Sequence, residues 1–182
     1  QLTAIDTGTV AALSVASVRA FLASQIAALR SDQIVAMTTQ QSAGLSTSNI
    51  SGLGVAQIAL LETQDIAALS EASVRAMSAA QLRALDSSQV VALGSNQLVA
   101  LSTANIVALG SDQLAAMESA DVAVLTSASL RALGAAQLQA LSTAQIQAMD
   151  AKQFAAMSTA NLRGLDATQI AALETGDLAL LG

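Results

Sequence analysis

The side chains best suited to chemistry in this sequence are carboxylates, and they recur. Glu62 and Asp65 stand three residues apart, and the same pair returns as Glu118 with Asp121 and as Glu174 with Asp177. Paired carboxylates can share a proton in acid–base work, or supply oxygen ligands to calcium if stacking brings several pairs together. Cations are scarcer: Lys152 is the sole lysine, and Arg19, Arg75 and Arg131 repeat at a 56-residue interval. Arg75 and Arg131 follow Asp65 and Asp121 by ten residues, a spacing suited to an exposed ion pair worth about 0–1 kcal/mol. Asn49-Ile50-Ser51 matches the acceptor pattern for N-glycosylation. Cysteine, histidine, tryptophan, tyrosine and proline are absent, which removes disulfides, thiol nucleophiles and the usual zinc ligands. No catalytic, cofactor-binding or metal-binding residue is therefore expected, and the chain is expected not to be an enzyme.

The elements that must position these residues are very short. From Asp6 to Leu181 the chain divides into twenty-two octads without insertion or deletion, and Ser142-Thr143-Ala144-Gln145-Ile146-Gln147-Ala148-Met149 is typical. The eighth residue is Leu in sixteen octads, Met in five and Phe in one. The fifth is Ile, Val, Leu or Phe everywhere except at Ser42, and the seventh is Ala or Gly in nineteen. A spacing of three between large apolar residues suits one face of a helix, whereas a strand alternates with period two.

Capping chemistry points the same way. The first residue is Ser, Thr, Asp or Gly in seventeen octads, all preferred helix N-caps, and the fourth is Gln in twelve. Ser or Thr followed three residues later by Gln is the capping box, which satisfies two orphaned backbone N–H groups reciprocally. Glu62 with Asp65 occupies those two positions, so capping is the role the pattern favours for the carboxylate pair. All thirteen acidic residues lie in the first four positions, and Arg19, Arg75, Arg83, Arg131 and Arg163 lie in the sixth, the polarity the helix dipole rewards. One continuous helix is excluded: at about 3.6 residues per turn an eight-residue pattern drifts by about 80° per octad, and cap residues would fall inside the core. The fold expected is an all-α solenoid of helices about two turns long, each too short to persist alone and held only by its neighbours.

The array is expected to span 1–182 as one domain, with octads over 6–181 and a super-repeat of 56 residues superimposed. Ser17, Ser73 and Ser129 keep that interval, as do Asn49, Asn105 and Asn161. Seven octads are either a duplicated block without geometric meaning or a whole number of superhelical turns. The stretch from Thr38 to Gly54 is the poorest, because Ser42 replaces an apolar residue and Gly44, Gly52 and Gly54 lower helix propensity by about 1 kcal/mol each. It reads as a drifted repeat or as a hinge.

Bulk properties close off other classes. A net charge of −6 with seven basic residues argues against nucleic acid and anionic membranes as partners. Mean hydropathy is high, at +0.57, yet polar residues interrupt at nearly every octad boundary, so no membrane span of about 18 apolar residues is expected. The chain starts in mid-pattern without a basic, then apolar, leader, and reads as an excerpt of a longer array.

Stretches such as 101–109 (Leu-Ser-Thr-Ala-Asn-Ile-Val-Ala-Leu) and 141–149 (Leu-Ser-Thr-Ala-Gln-Ile-Gln-Ala-Met) resemble the Leu-Thr-Thr-Ala-Gln-Ile-Ala-Ala-Leu type of octapeptide repeat found in large, poorly characterised bacterial secreted and surface proteins. The resemblance covers the whole chain and implies an extracellular or cell-surface location. Residues 85–93 (Leu-Asp-Ser-Ser-Gln-Val-Val-Ala-Leu) are also similar to the first helix of transcription-activator-like effector repeats, which are several times longer and carry a second helix and a base-reading loop with no counterpart here. Shared capping chemistry accounts for that likeness. The function expected is that of a spacer or stalk, whose apolar ends associate end to end with other segments of the array. The alternative is a scaffold binding a protein, peptide or glycan through the variable third and sixth positions.

Overall fold

The computed structural model describes residues 2–173, so the octad 174–181, with Glu174 and Asp177, lies outside the described residues. Each of the 21 octads from 6–13 to 166–173 holds one α-helix of four to six residues, from Thr7–Ala12 to Ala167–Ala171, and a 3-10 turn at Leu2–Ala4 precedes them. No strand occurs among the described residues, and no helix there is long and apolar enough to cross a membrane. The chain is an all-α solenoid of short helices.

Each helix starts where the capping residues placed it. At Ser46 the backbone is extended (φ −78°, ψ 168°), helix Thr47–Gly52 follows, and the backbone is extended again at Leu53 (φ −66°, ψ 131°). Among the described residues no positive φ is found, glycines included. A corner made of extended backbone accepts any L residue, so the large eighth residue and the cap can stand side by side with no left-handed glycine between them.

The chain forms two compact units, Gln1–Leu93 and Gly94–Gly182, with the boundary between octads. In the first, helix Ala23–Ala27 packs on Thr47–Gly52 and helix Thr39–Ala43 on Thr63–Ala68. In the second, helix Thr103–Ala108 packs on Ser127–Ala132 and helix Ala135–Gln139 on Thr159–Gly164. Every such pair lies three helices apart, so in each unit the chain winds around a core of fifth and eighth residues. Ile50, Ile58, Ile66 and Val74 in the first unit, and Leu114, Leu130, Ile146 and Phe154 in the second, are fully buried. Each such side chain contributes about 1.5–3 kcal/mol before conformational entropy is subtracted.

The glycines of the weak stretch acquire a reason. A Cβ on Gly52 would collide with the backbone oxygen of Ala23 and lie 2.7 Å from its Cα, so the helices meet there backbone to backbone. In the second unit Gly164 repeats the approach, with Ala135 Cα 3.0 Å from where its Cβ would be. The space beside Gly44 is filled by the Val15 side chain. Ser42 is a true cost: it is fully buried and its hydroxyl has no hydrogen-bond partner. Helix propensity alone says that Gly52→Ala gains about 1 kcal/mol; the contact with Ala23 makes it a loss of about 1–3 kcal/mol instead. Urea unfolding decides the sign, and a gain would mean that the Ala23 backbone can retreat.

Candidate functional site: the amide ladder

The fourth residue of the octad does the most varied work. Gln145 sits one turn into helix Thr143–Gln147, and its Oε1 accepts the N–H of the cap Ser142 at 2.7 Å, while the Ser142 hydroxyl accepts the N–H of Gln145 at 3.2 Å. This is the capping box read from the sequence. The other end of the same amide crosses to the preceding winding: Nε2 donates to the carbonyl of Leu114 at 2.9 Å and to that of Met117 at 2.7 Å. Those carbonyls belong to the C-terminal end of an earlier helix, where the i to i+4 ladder has run out, and that of Leu114 also accepts the N–H of Met117 at 3.3 Å. One buried side chain thus satisfies the start of its own helix and the end of another.

The arrangement recurs. In the first unit Gln41 donates to Val10, Ala11 and Leu13, Gln57 to Ile26, Ala27 and Leu29, and Gln81 to Ile50 and Leu53. In the second, Gln153 reaches Val122, Ala123 and Leu125, and Gln169 reaches Leu138, Gln139 and Leu141. In each of these cases one link runs to the residue 28 positions earlier, which is three and a half octads. Where the cap is Leu22, Arg30 or Gly54 no cap side chain accepts, yet the Gln still takes the cap N–H.

Shorter residues do less. Asn49 and Asn161 cap in the same way but reach one carbonyl each, Phe21 at 2.7 Å and Leu133 at 3.0 Å. Ser73 uses its hydroxyl on Leu45 at 2.7 Å. Asp65 cannot donate at all. Asp65 Oδ2 accepts the Glu62 N–H at 3.3 Å, and its Oδ1 is buried without a partner.

Sequence reasoning recognised the cap and missed the bridge. The signal was present: a capping box needs only an acceptor and accepts Glu as readily as Gln, yet no octad has Glu in fourth place and fifteen have an amide. An amide carries the donor that a carboxylate lacks. The 28-residue link also gives the 56-residue super-repeat geometric meaning within a unit, because 56 residues make two windings. Arg19 and Thr47 line one surface cleft, and Thr47 and Arg75 line its neighbour, so two arginines 56 residues apart flank one side of the first unit.

The remaining expected sites are redistributed. Asn49 is fully buried with its amide engaged, so the Asn49-Ile50-Ser51 pattern offers no accessible glycosylation acceptor. The pairing of Asp65 with Arg75 is not seen, since Asp65 turns inward and is 5% exposed. Among the described residues no three metal-binding side chains converge. An ion pair absent from the sequence reading joins Arg30 to Asp32 at 2.9 Å, and it holds the Asp32 carboxyl below the usual aspartate range. The sixth residue is exposed in every described octad except at Ala123. Thr47, Glu71, Ala72, Arg75 and Ala76 line the larger of the two clefts, about 400 Å³ in volume.

The family model of the ALTTAQ repeat matches residues 2–39, 58–95, 91–117, 114–151 and 146–182. The chain belongs to the ALTTAQ repeat family. Residues 40–57, which no match covers, contain Ser42, Gly44 and Gly52, the positions where local packing departs from the common octad. No curated protein matches the chain.

Gln145→Glu isolates the bridge from the cap, because it keeps the acceptor for Ser142 and replaces the donor facing Leu114 and Met117 with a buried oxygen. It is expected to cost about 1–3 kcal/mol or more, and more than Ser142→Ala, whose lost cap hydroxyl costs about 0.5–2 kcal/mol. Denaturant midpoints compare the two, and equal losses would reduce the ladder to local capping.

Proposed function

We propose that this chain is a non-catalytic spacer or stalk within a larger bacterial extracellular or cell-surface protein. The observation that carries the reading is the amide ladder: the buried amides of the fourth position are spent on fastening one winding to the next. Propagation of the fold then depends on the number of octads and little on the outward-facing residues. The sixth position ranges over Ala, Val, Arg, Gln and Ser while the ladder persists beneath it.

With fluorophores placed on either side of the array in a host polypeptide, each added 56-residue block should lower energy transfer stepwise. Replacing Arg19, Arg83 and Arg163 with serine should leave the transfer unchanged. Transfer indifferent to the number of blocks overturns the spacer reading. Self-association of array segments belongs to the same proposal, because a terminal winding leaves its apolar face and amide donors uncovered. Sedimentation should then show mass rising with concentration, and a concentration-independent monomer removes this part.

A binding scaffold is the second reading, favoured by the cleft that Thr47, Glu71, Ala72, Arg75 and Ala76 line in the first unit. It lacks the aromatic anchors that dominate binding hot spots, but its guanidinium and carboxylate would suit a polar peptide or glycan. Peptide and glycan arrays probed with the intact chain and with Glu71→Ala separate the readings. Binding lost in the variant would favour the scaffold.

A further inference from the structure

Successive windings of the first unit are joined by hydrogen bonds of nearly equal length through side chains of unequal length. Gln33 reaches the carbonyl 28 residues earlier at 2.9 Å, Gln41, Gln57 and Gln81 at 2.7 Å and Gln89 at 2.6 Å. Asn49 does so at 2.7 Å with one bond fewer between its Cα and its donor, and Ser73 at 2.7 Å with two fewer. Each missing bond is about 1.5 Å long. With the hydrogen bond held constant, the two backbones stand closer wherever the fourth residue is short.

The short residues are gathered on one side of the winding. Because linked residues are 28 apart, the remainder after dividing a residue number by 28 gives its place around the turn, and places 14 apart are opposite. Asn49, Ser73 and Asp65, which has the length of asparagine, fall at places 21, 17 and 9, with Gln41 among them at 13. Gln81, Gln57 and Gln33 fall at 25, 1 and 5, on the far side.

The seventh residues repeat the division. In the first unit they are alanine except at Gly44 and Gly52, at places 16 and 24, and at Leu60, at place 4. Gly52 lets its helix meet the backbone of Ala23, and Gly44 yields its space to Val15. The one bulky member stands across the winding from them. Two series, one polar and one apolar, narrow the same side and widen the other.

We propose that these two series bend the first unit, pinching its windings together on the side of Arg19, Thr47 and Arg75 and wedging them apart on the side of Leu60. Arg19, Thr47 and Arg75 share place 19, and every residue lining the two clefts that they flank falls at places 14 to 20. The inner curve of a solenoid is the surface on which extended partners are held, and the bend makes the face that carries these guanidinium groups the concave one. In the second unit the fourth residues from Asn105 to Asn161 keep the same places, and Gly164 meets Ala135 as Gly52 meets Ala23. Its bulky seventh residue, Val124, falls at place 12, on the short side, so the bend is assigned to the first unit alone.

The chain has no cysteine, so paired spin labels can be attached at introduced ones. Arg19 with Arg75, at place 19, and Ser31 with Ser87, at place 3, are exposed, and each pair is 56 residues apart. With each pair changed to cysteine in the intact chain, pulsed dipolar spectroscopy should find the 19–75 separation shorter than the 31–87 separation by about 2–4 Å, the length of the side-chain bonds missing over two windings. Leu60→Ala restores the common seventh residue and should shorten 31–87 by about 1–2 Å while 19–75 stays in place. Ser73→Gln should lengthen 19–75. Equal separations in the chain without these two substitutions overturn the proposal, and a 31–87 separation indifferent to Leu60→Ala removes the wedge on which it depends.

Discussion

A helix of five or six residues cannot hold itself together in water, and the structure depends on how its two ends find hydrogen-bond partners. Nearly every backbone group in such a helix is a terminal one, with N–H groups orphaned at the start and carbonyls at the finish. The glutamine amide answers both at once because its oxygen and nitrogen point in opposite directions. Gln41, Gln81, Gln145 and Gln153 are nearly fully buried for this reason, a location that glutamine rarely tolerates unless fully bonded. Hydrophobic burial by the fifth and eighth residues supplies the bulk of the driving force. The amides fix which carbonyl lies against which helix start, and so set the winding.

Much of this was legible in the sequence because it is local. Helix starts, helix polarity and the buried face follow from residues within one octad, and the caps at Asp6, Ser14, Ser46 and Ser142 lie where the pattern placed them. What could not be read was the return distance. A contact 28 residues away leaves no trace in an eight-residue motif, except indirectly through the preference of the fourth position for an amide over glutamate and through the 56-residue recurrence. The carboxylate pair at Glu62 and Asp65 shows the same limit: its spacing indicated a cap, which it forms by half, while the burial of Asp65 depends on a winding that local patterning does not encode.

The stretch around Ser42 and Gly52 illustrates how an apparent decay of the motif can be a packing requirement. A residue scored as a poor helix former is the one that lets helix Thr47–Gly52 lie against the backbone of Ala23. Ser42 has no such compensation, since its hydroxyl is buried without a hydrogen-bond partner. The two substitutions look alike as departures from the motif and are opposite in physical origin.

The half-integral number of octads per winding has an effect on how such an array can lengthen. With 28 residues per winding, the residue above an eighth position is a fourth position, so leucine stacks on glutamine and like meets like only at every second level. Near-identical repeats are thereby kept from forming columns of identical side chains or of equal charge. Unequal recombination that adds or removes seven octads returns every specialised residue to its own neighbours, whereas loss of a single octad would set Gly52 against a different backbone and shift each aspartate along the series. The genome can therefore copy this protein in whole paired windings without redesigning any contact inside it.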